Sequence, residues 1–166
     1  MSPRAHEAQR EAGELDPAAA SALQAATRML AGVALRSMDA LDNAVTLPQF
    51  RLLAVLADLG RVPTGEAART LGLDRSTVTR LANRMVDAGH VVRGSDERHR
   101  GMVTLELTAS GRDLVATADA WRRAELARIM ARLAPEDQAT VTASLGLLVA
   151  AAGDEYGVTG HRPVPL

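Results

Sequence analysis

One segment, Leu73–Val92, limits the fold more than any other part of the chain: LDRSTVTRLANRMVDAGHVV. It opens with an acidic helix cap, Asp74, and closes with Gly89 before a pair of β-branched residues. At about 100° per residue, the helix between them has one apolar face and one polar face. The apolar face is made of Val78, Leu81, Ala82, Met85 and Val86. Such a helix packs one face on a core and leaves the other face for solvent or a partner.

The polar face of this helix has the side chains with which helices read DNA. Arg bonds a guanine edge at two points, Asn suits adenine, and Ser or Thr bonds phosphate or base. Asp87 lies at the end of the helix, where it would be poorly placed near phosphate. An ordinary solvated helix face has a similar composition, so the helix alone leaves both interpretations open. The polar positions are Ser76, Arg80, Asn83, Arg84 and Asp87, with Thr77 and Thr79 on the flanks.

A second short helix precedes this one. Thr64 is a good N-cap for a helix from Gly65 to about Leu71, and Gly72 breaks it. A short capped helix, a turn containing Gly and an amphipathic helix form a helix-turn-helix, whose second helix enters the DNA major groove.

Beyond Gly89 the hydrophobic period changes from helical to alternating. His90–Arg93 is predicted as one strand, and GMVTLELT as the other, with Val103, Leu105 and Leu107 pointing to one side. The charged loop GSDERHRG joins them, so the pattern predicts a two-stranded hairpin, or wing. A thin loop with arginines reaches a minor groove, and this tip carries Arg98, His99 and Arg100.

The charge distribution favours the DNA-binding interpretation. Between Arg69 and Arg100 there are seven Arg and four acidic residues, a balance of +3, whereas the whole chain has a formal net charge of −1. Positive charge is therefore concentrated where phosphates would lie.

The rest of the chain is predicted to be helical. Aromatic residues are only 2% of the sequence, so a core of Ala, Leu, Val and Met favours helix packing. The fold class is therefore mainly α with a small β-hairpin wing: a winged helix-turn-helix lobe plus a helical dimerisation bundle. The predicted helices are Pro17 to about Asp42, Pro48 to about Asp58, about Ala109 to Leu133, and one that starts at Pro135.

The same reading divides the chain into five parts. A tail at 1–16 precedes an N-terminal dimerisation helix at 17–47, a DNA-binding lobe at 48–108, dimerisation helices at 109–155 and a tail at 156–166. The terminal helices are rich in Ala and Leu, and a small winged lobe cannot cover all of them. A bundle shared between two chains would bury these faces and set two recognition helices about one DNA turn apart.

The residues do not favour an enzyme or a metal protein. There is no cysteine, no phosphate-binding loop and no dinucleotide fingerprint. Ser76 has no evident His and Asp partners for hydrolysis, and the histidines have no metal-ligand spacing. We expect no catalytic residues, no cofactor and no metal, and a cytoplasmic protein without a signal peptide or a segment of membrane-spanning length.

Several motifs resemble the MarR family of winged helix-turn-helix transcriptional regulators. They are LPQFRLLAVL, TGEAARTLGLDRSTVTRLANRMVDAGHV, SDERHRG, LTASGRDL and LAPEDQ, and the resemblance covers about residues 17–155. Its most specific parts are Asp96 and Arg98 of the wing and the run Leu107–Arg112. The position after Arg98 is often Asp in this family and is His99 here.

The resemblance implies the DNA contacts and the assembly. In such proteins the wing Arg enters the minor groove and the wing Asp helps to hold it, which assigns these roles to Arg98 and Asp96. The family also implies a homodimer, built from the first helix and the last two, on a double-stranded, pseudo-palindromic operator. The predicted DNA-binding residues are Thr64, Arg75, Ser76, Thr77, Thr79, Arg80, Asn83, Arg84, Asp96, Arg98 and Arg100.

The resemblance further implies a small-molecule effector site between the dimer helices and the DNA-binding lobe. Phe50, Arg51 and Trp121 are the candidate ligand-binding residues, although a lone Trp on a long helix is more often core. Some urate-binding relatives carry Trp-Asp where this chain has Phe50 and Arg51, so urate is not supported.

The sequence thus predicts a ligand-responsive, DNA-binding repressor, released by a small anionic or aromatic effector. The alternative is a helical, dimeric ligand-sensing or interaction protein without specific DNA binding. Arginines at both contact points, Arg80 and Arg98, argue against that alternative.

Overall fold

A computed structural model of the protein describes residues 15–95 and 102–153. The predicted tails beyond these ranges, and the wing-tip residues Asp96, Arg98, His99 and Arg100, lie outside the described residues. The helices are α1 Pro17–Arg36, α2 Leu47–Leu59, α3 Thr64–Leu71, α4 Arg75–Asp87, α5 Ala109–Met130 and α6 Pro135–Ala152. The strands are β1 Val62–Pro63, β2 Val91–Ser95 and β3 Val103–Leu107.

Helix α1 is shorter than predicted. Asp16 caps it by accepting from the Ala19 N–H, and the helix starts at Pro17 as predicted. It ends at Arg36 and not near Asp42. A 3-10 turn at Asp39–Leu41 follows, and the backbone then becomes left-handed at Asp42. Asp tolerates this conformation better than most residues, so it permits the sharp change of direction towards α2.

Helix α2 supplies the centre of the lobe's core. It begins with a capping box between Thr46 and Gln49 and ends at Gly60, where φ is +71°. Phe50, Leu53 and Leu56 are buried and Ala54 is partly buried. The fully buried large side chains are Leu52, Leu53, Val55 and Leu56 of α2, Val78 and Met85 of α4, Val91 and Leu105 of the strands, and Ser37.

The sheet has one strand more than predicted, in the order β1-β3-β2 with antiparallel pairs. The added strand β1 pairs Val62 with Leu105, and β2 is shifted to Val91–Ser95 from the predicted His90–Arg93. Leu105 and Leu107 are buried, whereas Val103, which lies on the same side of the strand by alternation, is 43% exposed. Val103 lies at the outer end of the hairpin, opposite Ser95.

Helices α5 and α6 differ in how much their own chain covers them. Helix α5 ends at Met130, three residues before the predicted Leu133, and buries Ala118. No residue of α6 is buried, and Leu147 is 74% exposed although most of the helix is apolar. A helix that is apolar on all sides normally lies inside a protein or an assembly.

The first helix has a similar exposed character. By length and mean hydropathy (1.2), Pro17–Leu41 would suffice to cross a membrane, contrary to the sequence expectation that no segment reaches that length. Length and composition are weak evidence of a membrane span, because helices that pack in a protein core pass the same test. Only 6% of the apolar window is buried within the chain.

The run Leu107–Arg112 joins the sheet to α5. Thr108 caps α5 by accepting from the Gly111 N–H, and its hydroxyl donates to the Gly89 carbonyl at 2.8 Å. A Cβ on Gly111 would lie 2.2 Å from the His90 carbonyl oxygen and 3.1 Å from a Leu107 methyl carbon. The glycine therefore allows α5 to touch the backbone that leaves α4.

We expect Gly111→Ala to lower the free energy of unfolding by about 1–3 kcal/mol, because the new methyl group clashes with a backbone oxygen that cannot move alone. Gly65→Ala is the control, since a Cβ there meets nothing within 4 Å. It should be neutral or stabilising by up to about 1 kcal/mol. Urea unfolding of both variants is the measurement, and equal stability of the two would contradict the close packing.

Candidate nucleic-acid interface

The helix-turn-helix is formed as the sequence predicts, with one correction at its start. Helix α3 begins at Thr64 itself with Pro63 as the cap residue, so Thr64 is not the N-cap. The Thr64 side chain is buried and its hydroxyl donates to the Val103 carbonyl at 3.2 Å. Helix α3 ends at Gly72, where φ is +65° and the chain turns towards α4. Thr64 thus connects α3 to the wing.

Helix α4 separates its apolar and polar faces as predicted. Val78, Leu81, Ala82 and Met85 are buried and Val86 is partly buried. The opposite face is exposed to solvent, at Arg75, Ser76, Thr79, Arg80, Asn83, Arg84 and Asp87, while Thr77 is partly buried. Since this face is polar, basic and uncovered within the described residues, we call α4 the recognition helix.

The first turn of the recognition helix is held by a single carboxylate. Asp74 accepts from the Ser76 hydroxyl at 2.5 Å, from the Thr77 hydroxyl at 2.6 Å and from the Thr77 N–H at 2.8 Å. These hydrogen bonds, that of Ser76 first, hold the pKa of Asp74 far below its usual value. The carboxylate therefore stays ionised, next to the positive end of the helix dipole.

The hydroxyl groups of this helix donate their hydrogen bonds to acceptors within the protein. The Ser76 and Thr77 hydroxyls donate to the Asp74 carboxylate, and the Thr79 hydroxyl donates to the Arg75 carbonyl at 2.8 Å. Arg80 in turn donates to the Thr77 hydroxyl oxygen at 3.1 Å. In this arrangement the hydroxyl groups can offer a DNA base only acceptor lone pairs, while the arginines provide donors.

The recognition face has a cleft on the side of the wing and a more open groove on its outer side. Arg75, Thr79 and Asn83 are spaced four residues apart, so they lie on one side of the helix. The first two border a cleft of about 160 Å³ against the wing, together with Thr64, Arg93 and Val103. A more open groove of about 610 Å³ runs over the outer side, lined by Arg75, Ser76, Thr79 and Arg80.

Arg93 is a residue of this surface that the sequence analysis missed. It lies on β2 opposite the buried Leu105, and its guanidinium donates to the Asn83 side-chain oxygen. The bond joins the wing to the recognition helix. The only signal in the sequence was an arginine in the strand that directly follows this helix.

The three effector candidates differ in their burial and in their contacts. Phe50 is buried, with the Arg122 guanidinium 5.2 Å from its ring centroid. Arg51 donates to the Leu71 carbonyl at 3.2 Å and so ties α2 to the end of α3. Trp121 is partly buried on α5. Phe50 and Arg51 thus have structural contacts, and an effector role for the three residues stays a prediction.

A separate cleft of about 340 Å³ lies where α2, β3 and α5 meet. Burial, and next to it the negative charge of Asp119, raise the pKa of the neighbouring Asp58. None of the three candidates lines this cleft, which the sequence analysis did not predict. Its lining residues are Leu56, Ala57, Gly60, Glu106, Leu107, Arg112, Val115, Ala116 and Asp119.

A short helix, a tight turn, an exposed basic helix and an adjoining three-stranded sheet that contains the wing define a winged helix-turn-helix protein. The model of the MarR family matches residues 45–100. The crystal structure of Rv1404 from Mycobacterium tuberculosis is similar with a TM-score of 0.77 and 31% identity, and covers 86% of this chain and 98% of that chain.

Two curated relatives are similar in sequence. The HTH-type transcriptional repressor Rv2887 of M. tuberculosis is 32% identical over 94 residues, 57% of this chain and 68% of that protein. The HTH-type transcriptional regulator YfiV of Bacillus subtilis is 26% identical over 104 residues, 63% of this chain and 65% of that protein. The chain belongs to the MarR family, which confirms the resemblance and the fold class predicted from the sequence.

The Asp74 cap predicts a pH-dependent difference in stability. Because the folded state lowers the pKa of Asp74, its stabilising effect is present above about pH 4 and is lost as the pH falls through the folded value. Asp74→Ala should therefore lower the Tm at pH 7, and the difference from wild type should narrow below about pH 4.

Asp87→Ala is the matched control, since it removes an acid from the negative end of the same helix. It should leave the Tm unchanged or slightly raised. Thermal scans from pH 7 to pH 2 measure both effects. A difference between wild type and Asp74→Ala that does not vary with pH would show that the carboxylate is not the cap.

Proposed function

We propose that this MarR-family regulator is a repressor that binds a pseudo-palindromic operator as a homodimer and is released by a small-molecule effector. The observation that carries the proposal is the exposed basic face of the recognition helix, flanked by the wing. Arg75, Arg80 and Arg84 lie on that face and Arg93 lies beside it. The related Rv2887 is named a transcriptional repressor, which favours repression over activation.

Apolar surface on α1 and α6 supports the homodimer. Leu23 and Leu30 of α1 are each 40% exposed, and Leu145 and Leu148 of α6 are 42% and 49% exposed. Exposed apolar surface of this kind on two long helices is typical of an interface. A second copy of the chain, packed through the same helices, would cover it and relate two recognition helices by a two-fold axis.

The cleft between α2, β3 and α5 is a second place for an effector besides the residues predicted from the sequence. Leu56, Leu107 and Val115 provide apolar walls, while Arg112 provides a positive charge. Because Glu106 and Asp119 also line the cleft, this lining suits a small aromatic ligand better than an anion. Binding there would act on the junction of the wing with α5, which positions the recognition helix.

The salt dependence of DNA binding tests the phosphate contacts. If both protomers engage their wings and recognition helices, on the order of 6–10 contacts would cost about 10³–10⁵ in affinity between 50 and 200 mM salt. Fluorescence anisotropy with a duplex operator measures the slope. A flat response would favour the alternative, a dimeric protein without specific DNA binding.

Arg80 is expected to read a base edge. Arg80→Ala should cost about 1–3 kcal/mol on the operator and relax the preference at one position per half-site. Arg98→Ala should weaken operator and flanking DNA more evenly, most where the flank is A·T-rich and narrow. Competition against a panel of single-base operator substitutions measures both. An unchanged rank order for Arg80→Ala would mean that α4 does not read the sequence.

Leu148→Glu is expected to give monomers in sedimentation velocity, because it places a charge on the apolar surface of α6. Val103→Glu is the control: this side chain is similarly exposed, at 43%, but lies on the wing. It should leave the dimer intact. If both variants sediment as wild type, the interface does not include this part of α6.

A further inference from the structure

The contact between Arg93 and Asn83 fixes which atoms of the Asn83 amide face outwards. A guanidinium group has only donors, so the atom that it contacts on the amide must be the oxygen. The amide NH2 group then points away from Arg93. Asn83 is therefore presented as a hydrogen-bond donor.

The location of the pair puts this donor on the recognition surface. Asn83 continues the stripe of Arg75 and Thr79, which border the cleft between the recognition helix and the wing. Arg93 reaches Asn83 from the other wall of that cleft, and its strand is held by pairing with the buried Leu105. Both side chains are exposed, so DNA in this groove would contact the Asn83 amide in the orientation that its bond with Arg93 fixes.

We propose that Arg93 is a positioning residue for sequence recognition, which makes Asn83 read guanine instead of adenine. The two-point contact of Asn with adenine needs the amide oxygen to accept from the adenine amino group. Here that oxygen is turned towards Arg93, which uses one of its two lone pairs and sets a positive charge beside the other, where it repels a donor group. Guanine presents two adjacent acceptors, N7 and O6, to the two amide hydrogens. Adenine places a donor beside its N7 and pairs poorly with an NH2 group.

This inference rests on the proposed DNA binding, and it changes the expectation for Asn83 from the sequence alone. Its test uses the full chain and duplex DNA selected by the wild-type protein from a randomised library. Single-base substitutions of that duplex then compete for wild type, Asn83→Ala, Arg93→Ala and Arg93→Lys. The position whose preference disappears in Asn83→Ala is the one that Asn83 reads.

Wild type should prefer guanine over adenine at that position by on the order of 5- to 100-fold. Arg93→Ala frees the amide oxygen, so the preference should move to adenine. Arg93→Lys should retain guanine, because an ammonium group also only donates.

Arg61→Ala is the matched control for the loss of charge. Arg61 is an exposed arginine next to β1 whose guanidinium pairs with Glu106 at 2.8 Å. Its removal should weaken all duplexes alike and leave the base preference unchanged.

Three results would overturn the inference: a wild-type preference for adenine at the Asn83-dependent position, an Arg93→Ala variant that only weakens all duplexes evenly as Arg61→Ala does, or an Asn83→Ala variant that relaxes no position. A wild-type protein that selects no sequence at all would instead overturn the proposed function. If Arg93→Ala does not fold, the wild-type preference and the Arg93→Lys result decide the question.

Discussion

The contact of Gly111 with the backbone at His90 is the constraint on which the candidate nucleic-acid interface depends. It brings the start of the long helix α5 against the residue that follows the recognition helix, and Thr108 closes the same junction by donating to Gly89. The end of the recognition helix, the wing strands and α5 thus meet at one point. This packing holds the basic face beside the wing, so residues away from that face contribute to its orientation.

The recognition helix was predictable because its determinants are local. The Asp74 cap, the apolar spacing from Val78 to Met85 and the terminal Gly89 lie within one segment, and the structure has the helix at Arg75–Asp87 as expected. The MarR resemblance likewise rested on continuous motifs, of which Leu107–Arg112 has a clear physical reason in the junction just described.

The missed features depend on contacts between distant segments. Strand β1 has two residues, too few for a pattern, and exists only because Val62 pairs with Leu105. The exposure of Val103 was likewise not predictable, because alternation gives the side of the strand on which a residue lies but not whether other elements cover that side. The bond between Arg93 and Asn83 arises from the docking of the wing on the recognition helix, and no spacing in the sequence announces it. The wing tip with Arg98 lies outside the described residues, so its role stays a prediction.

The exposed state of α6 has a consequence for how the stability of this protein is measured. None of its residues is buried within its own chain and most are exposed, so its apolar surface adds little to the folding of an isolated chain. A partner that binds α6 stabilises the folded chain by mass action. If that partner is a second copy of the chain, dilution dissociates the assembly and the stabilisation is lost. An unfolding midpoint taken at a single protein concentration would then describe a population of assembled and separate chains, and not an intrinsic property of the sequence.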